Sequence, residues 1–373
     1  MTIAEKIMGR ASGLGQVSPG EIVQASIDVA MINDITGPMA VSGFRKTGVE
    51  RVWDPSKIVI VLDHQVPADS IEAAQNHIIL RKFAEEQDIE NFYDVREGIC
   101  HQVLPERGFA LPGRFIVGAD SHTCTYGSFG SFAAGVGSTD MAAVFAQGDL
   151  WFRVPESVKI EVEGKLRKHV APKDLILHII GDIGAGGAIY RALEFCGSGI
   201  KKLSVAGRMT LCNMGVEMGA KAAIVPPDKK TEGYLAKRTR EPFTPVYSDP
   251  DASYLEEHSY DASKVEPQVA CPHSVDNVEV VSELGDVEID QAFLGTCTNG
   301  RFEDLVEAAE ILKRKQINRD VRMLVAPASR EVYLKALRKK VLRKFVEAGA
   351  LVLAPGCTAC MGSNVGILGP GEV

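Results

Sequence analysis

Nothing in this sequence is long and apolar enough to cross a bilayer as a helix: no run approaches the ~18 to 20 apolar residues that a span needs. The start, Met1-Thr2-Ile3-Ala4-Glu5-Lys6, lacks the basic-then-apolar layout of a signal peptide, so the expected location is the cytoplasm. Eight cysteines among 373 residues are too sparse for a disulfide scaffold, which fits a reducing compartment where thiolates are kept for metal. A basic, aromatic-interleaved stripe is missing, and 41 basic against 49 acidic residues leave a net charge of −8; both disfavour a nucleic-acid partner. No Gly-x-Gly-x-x-Gly loop is present. Gly184-Ala185-Gly186-Gly187 follows a helical pattern and not a strand, so it reads as a helix-ending turn. Without low-complexity tracts, and with 45% apolar and 24% charged residues, the chain has the composition of a globular protein of two or three domains.

What is present is concentrated in two cysteine runs. Leu294-Gly295-Thr296-Cys297-Thr298-Asn299-Gly300 follows the apolar Gln291–Leu294, and Pro355-Gly356-Cys357-Thr358-Ala359-Cys360-Met361-Gly362 follows Ala350–Leu353. Each reads as a loop at a strand end, built of small residues whose backbone N–H groups can approach a sulfur-rich anion closely. Cys357-x-x-Cys360 alone is compatible with a redox dithiol, half a zinc site or part of an iron–sulfur site. Structural zinc wants a second close pair, and Cys271-Pro272-His273 is spaced too tightly to supply it. A thioredoxin-like dithiol belongs near the head of a small βαβ domain, not at the far end of a long chain. Three thiolates converging from two loops would hold three irons of a [4Fe–4S] cube and leave the fourth without a protein ligand, an open Lewis acid for a hydroxyl and a carboxylate.

The rest of the chain alternates strand and helix. A helix is expected over Ile3 to Ser12 and a strand over Ile22 to Ile27. Lys57–Leu62 and Arg114–Ala119 are continuous apolar runs, as in strands buried on both faces of a parallel sheet, and they end in Asp63-His64 and Asp120-Ser121-His122. Ligands in open α/β sheets sit beyond strand C-termini, so these residues are placed for chemistry. Helices are expected over Ser70 to Gln87, with Ile71, Ala74, Ile78 and Phe83 on one face, from Ser138 to about Phe152, over Pro172 to Ile183, and over Cys212 to Lys221 carrying Glu217. Val158–Gly164 and Leu203–Ala206 read as strands, and Pro226–Pro267 as a solvated segment. In the last third, strands at Val287–Leu294 and Val321–Pro327 alternate with helices at Glu303–Lys315 and Arg330–Ala348. His77, His169, His178 and His258 lie outside every motif and are read as structural. The same holds for Cys124 and for Cys100, Cys196, Cys212 and Cys271.

Taken together, the two cysteine motifs, Asp63-His64-Gln65, Gly98-Ile99-Cys100-His101-Gln102, Gly118-Ala119-Asp120-Ser121-His122-Thr123 and Cys212–Ala220 resemble, in order, the signatures of the aconitase superfamily. The resemblance covers essentially the whole chain, and its length and start look most like the separate large subunits of the 3-isopropylmalate dehydratase and homoaconitase kind. It implies an α/β fold of three α/β/α domains with mainly parallel sheets around a shared cluster, with expected boundaries 1–153, 154–283 and 284–373 and no swivelling domain. It implies cluster ligation by Cys297, Cys357 and Cys360, and carboxylate–imidazole pairs of Asp63 with His64, Asp120 with His101, and Glu217 with His122. Ser121 and Asn213 are the implied donors to substrate, and Asn299 is expected to order the cluster loop. The implied activity is a hydro-lyase interconverting a 2-hydroxy and a 3-hydroxy acid, foremost 2- and 3-isopropylmalate in leucine synthesis, with homocitrate or 2,3-dimethylmalate as alternatives. A cluster-free RNA-binding iron sensor is a distant option. The implied partner is a small subunit carrying the serine base and the substrate-selecting loop. The family's Asn-Arg-Asn-Phe…Gly-Arg stretch is not in the sequence, which stops at Gly369-Pro370-Gly371-Glu372-Val373, so this form is expected to lack those arginines.

Overall fold

The four residues Ile58–Val61 are all β-branched and all buried, the pattern of a strand covered on both faces. In the computed structural model, which describes residues 1–362 and 365–373, they form a parallel pair with Phe92–Tyr93. The contacts divide the chain into two compact units. One comprises Met1–Met31, Met39–Ile58 and Leu104–Gly285; the other comprises Ile32–Pro38, Val59–Val103 and Asp286–Val373.

In the first unit, Val29, Ala30 and Met31 of the strand Val29–Asn33 run parallel to Phe115–Gly118, which runs parallel to Phe132–Gly135, and Ile22–Ser26 pairs antiparallel with Asp149–Arg153. A second, wholly parallel sheet has the order Ala222–Ile224, Ala192–Cys196, Ser157–Glu163, Glu256–Asp261. The helix Pro172–Ile183 turns Leu175, Ile176, Ile179 and Ile180 into the core beside that sheet. In the second unit, Gln291–Leu294, Arg322–Val325 and Leu351–Val352 form a three-stranded parallel sheet with Arg322–Val325 in the centre. The helices Phe302–Ile311, Arg330–Arg338 and Val341–Glu347 pack Leu305, Val332 and Phe345 into one core. The class is α/β with mainly parallel sheets, as expected.

Several elements differ from the sequence reading, each for a local reason. The helix from Ser138 ends at Gln147, where Gly148 closes it in a left-handed conformation (φ 80°), and Asp149–Arg153 becomes a strand by pairing with Ile22–Ser26. Leu203–Ala206 is not a strand. Ser204 accepts a hydrogen bond from the Gly207 N–H and starts a helix, Val205–Asn213, which passes into a 3-10 turn at Met214–Met218. The long helix expected after Arg330 breaks at Lys340 (φ 58°) into two. The strands Phe132–Gly135, Ala192–Cys196 and Ala222–Ile224 were not anticipated. The helix Ile71–Glu86, for which Asp69 or Ser70 is the expected cap, takes Ser70 but does not keep its expected face. Ile71, Ala74 and Ile78 are exposed, while Ala73, His77, Leu80, Phe83 and Ala84 are buried. An imidazole on a buried stripe requires a polar partner, and His77 has one in Asp34.

Candidate active site

Three motifs of the second unit come together at strand ends. Directly after the buried strand run, Asp63 is fully buried and His64 nearly so, with His64 Nδ1 2.8 Å from Asp63 Oδ1. An ionised carboxylate only accepts, so Nδ1–H donates to it, which fixes the tautomer and orientation of the imidazole. The other Asp63 oxygen accepts the Cys100 N–H at 2.6 Å, and the Asp63 carbonyl accepts the Cys357 N–H at 2.7 Å. The dyad is thereby bonded to both neighbouring motifs.

His101 is buried at the start of the helix Cys100–Glu106. The approach to it is tight: Gly98 (φ 112°) bridges to Ser329, and the Ile99 N–H donates to the Ala328 carbonyl at 2.9 Å. A Cβ on Gly98 would lie 2.5 Å from the Ser329 Cα, so only glycine fits. Ile99, Ala328 and Cys297 form one small buried cluster, which places the His101 motif against the first cysteine loop.

Cys297 and Cys357 follow the two outer strands of the three-stranded sheet, at their C-terminal ends. Thr296 holds φ 76°, a left-handed conformation that costs a β-branched residue ~1–3 kcal/mol. Arg301, itself buried, holds that loop: its guanidinium donates to the Cys297 carbonyl, to the Thr298 carbonyl at 2.7 Å and to Gln102 Oε1 at 3.1 Å. Asn299 donates to Asp304 at 3.1 Å, and burial pushes the Asp304 carboxyl above its ordinary range. Cys297 is buried, Cys357 half-buried and Cys360 exposed. The Cys357 thiol is raised well above its ordinary pKa by a hydrogen bond with Cys360, by burial, and by the nearby Cys297, Asp63 and Cys360 charges. Cys297 and Cys360 thus both bear on the Cys357 sulfur, and soft sulfurs that oppose one another's ionisation suit a thiophilic iron–sulfur group that would replace their protons.

In the first unit, Asp120 and His122 follow the strand Phe115–Gly118. Asp120 Oδ1 accepts the His122 N–H at 2.9 Å, and Ser121, exposed, lies with Oγ 3.4 Å from His122 Nδ1. His122 Nε2 is 3.5 Å from Glu217 Oε1. That imidazole, against a smaller opposing effect of burial, holds the Glu217 carboxyl below its ordinary range. Asn213 is fully buried and donates to Thr125 Oγ1 at 2.8 Å, while the Cys124 thiol meets the Asn213 carbonyl. Of the expected pairs, Asp63 with His64 and Glu217 with His122 lie within one unit each; Asp120 belongs to the first unit and His101 to the second. Sequence reasoning passed over Asp34 and Arg301 and left His77 as structural, since none of them stands in a motif that names its partner.

A family model for the aconitase family (aconitate hydratase) matches residues 5–286 and 277–373. A probable 3-isopropylmalate dehydratase large subunit from Methanothermobacter thermautotrophicus is 59% identical over 373 residues, spanning 100% of this chain and 89% of that one. The 3-isopropylmalate dehydratase large subunit 1 of Methanopyrus kandleri is 57% identical, spanning 100% and 88%. A probable methanogen homoaconitase large subunit from M. thermautotrophicus is 54% identical, again over 100% and 88%. In fold, the chain is similar to the holo-form crystal structure of Thermococcus kodakaraensis aconitase X, with a TM-score of 0.55 and 15% identity over 95% of this chain and 84% of that one. With a family match from residue 5 to residue 373 and relatives more than half identical over its whole length, the chain belongs to the aconitase family.

Proposed function

We propose that this chain is the large subunit of a hydro-lyase that isomerises 2-isopropylmalate to 3-isopropylmalate by dehydration and rehydration, in the leucine pathway of the cytoplasm. Family membership implies a [4Fe–4S] cluster, and Cys297, Cys357 and Cys360 are the residues that would hold it. When bound, such a cluster supplies Lewis-acid chemistry at the one iron that no cysteine ligates. The observation that carries the reading is the bond between the Asp63 carbonyl and the Cys357 N–H, which sets a proton-handling imidazole beside the cysteine loop.

The chain's own residues then divide the work. Hydroxide leaves carbon poorly, and His64, oriented by Asp63, delivers the proton that lets it leave as water. Asp120 and His101 are the further carboxylate and imidazole of the proposed machinery, and Glu217 favours the imidazolium of His122, whose positive charge faces a substrate carboxylate. Ser121 and Asn213 donate hydrogen bonds to the same ligand. The carbon-bound proton goes to a serine base on the small subunit, which also brings the loop that selects the substrate side chain. Return of water to the adjacent carbon completes the isomerisation. The divisions 1–153, 154–283 and 284–373 follow the His/Asp motifs, the second parallel sheet and the cysteine sheet, and we propose them as the functional segments.

The homoaconitase reading is kept because a relative of that name is 54% identical over the whole chain. The test is anaerobic cluster reconstitution with the small subunit, followed by turnover of 2-isopropylmalate and of homocitrate. A kcat/KM for isopropylmalate at least about tenfold higher is expected. The reverse preference selects homoaconitase, and turnover of neither removes both.

A further inference from the structure

Asp34 lies just past the strand Val29–Asn33, is fully buried, and is surrounded by donors. Its Oδ1 accepts the backbone N–H groups of Asp63 at 2.9 Å and His64 at 2.8 Å. Its Oδ2 accepts that of Gln65 at 2.8 Å and lies 3.2 Å from His77 Nε2. A carboxylate has about four acceptor positions, so these four donors saturate it. Burial pushes its pKa up, but His77 and the three N–H groups outweigh burial and bring it to about 2. Because the carboxylate only accepts, Nε2 of His77 carries the proton.

Asp34, Asp63 and His64 bring oxygen and nitrogen atoms within 4.8 Å of one another, a spacing that would also suit a metal ion. The donors in place oppose that use. Each Asp34 oxygen already faces two N–H groups, and the two Asp63 oxygens take His64 Nδ1 and the Cys100 N–H. A cation would displace bonds that are already made.

We propose that Asp34 and His77 are positioning residues, forming a carboxylate latch that sets the backbone of Asp63-His64-Gln65. Through it they set the direction of the His64 imidazole and the seat of the Cys357 loop. Three consecutive N–H groups on one carboxylate fix a turn far more narrowly than chain connectivity does. His77, from the buried face of the helix Ile71–Glu86, holds the carboxylate in turn. A misplacement of about 1 Å at a proton donor costs on the order of 100-fold in rate, so a residue that touches no substrate can govern turnover.

The kinetic arm of the test rests on the hydro-lyase reading; the exchange arm does not. Asp34→Asn, His77→Gln and His77→Leu are compared in the full chain. In Asp34→Asn, amide hydrogen exchange at residues 63–65 is expected to quicken about tenfold or more, with the rest of the second unit unchanged. In the reconstituted holoenzyme, its kcat is expected to fall about 10- to 100-fold with KM within about twofold. His77→Gln keeps an N–H donor and is expected to stay near wild type, whereas His77→Leu reproduces the defect. Unchanged exchange at 63–65, a uniform loss of protection across the chain, or equal damage from Gln and Leu at position 77 overturns the latch. Should Asp34→Asn fail to fold, the His77 pair decides on the same amides. A wild-type holoenzyme inactive on isopropylmalate defeats the functional reading and leaves the exchange result to judge the latch.

Discussion

The carbonyl of Asp63 accepts the N–H of Cys357 at 2.7 Å, so a backbone hydrogen bond joins the residue that orients His64 to a cysteine near the other end of the chain. The Asp63–His64 dyad and the Cys357 loop are thereby held in one register, and a disturbance of either is felt by the other.

The cysteine assignment has a direct test. After anaerobic reconstitution, Cys297→Ser, Cys357→Ser and Cys360→Ser are each expected to lose the cubane signal in low-temperature electron paramagnetic resonance and to bind less iron. Cys124→Ser is expected to keep both, because its thiol is buried against the Asn213 carbonyl. A cluster indifferent to the three changes, or a zinc-only protein, would defeat the assignment.

Arg301 is the buried fork that holds the carbonyls of Cys297 and Thr298 and reaches Gln102 beside His101. Arg301→Lys keeps the charge but cannot span three acceptors, and a cost of about 2 to 4 kcal/mol in urea unfolding of the chain is expected. Cluster loss in air, followed by visible absorbance, is expected to quicken in parallel. Equal cluster lifetimes would show that the fork does not order the loop.

Gly98→Ala places a Cβ 2.5 Å from the Ser329 Cα and 2.6 Å from the Ala328 carbonyl oxygen, at a φ of 112°. Strain and overlap together predict a loss of about 2 to 5 kcal/mol. Denaturant titration reads the stability, and recovery of the holoenzyme's activity reads the displacement of His101.

Asp34 also dictates a pH dependence. Its pKa falls from 3.8 to about 2 in the folded chain, so its bonds stabilise the fold fully above pH 3.8 and are lost as the pH falls toward 2. The span is worth about 2 kcal/mol. Between pH 5 and 3, unfolding free energy is expected to fall less steeply in Asp34→Asn than in the wild type. Parallel slopes would contradict the depressed pKa.

Read alone, the sequence determined which residue types stand at strand ends. The apolar runs before Asp63 and Asp120 carry that information locally, because a strand buried on both faces must be apolar throughout and its polar sequel must lie beyond it. The helix start near Ser70 was legible for the same reason, since a cap is a contact across three residues. Tertiary structure decided what local pattern leaves degenerate. Asp149–Arg153 extends a helical pattern until a distant strand pairs with it. By their spacing Ile71 and Ile78 predict the inner face of a helix whose buried side instead holds His77. That imidazole is tolerated inside only because Asp34, from another segment, accepts the hydrogen bond from its Nε2–H. Asp34 bonds to residues 63–65 and His77, and Arg301 to Gln102, none of which chain order brings near them, and a hydrogen bond made across the fold leaves no periodic trace in the residues that make it.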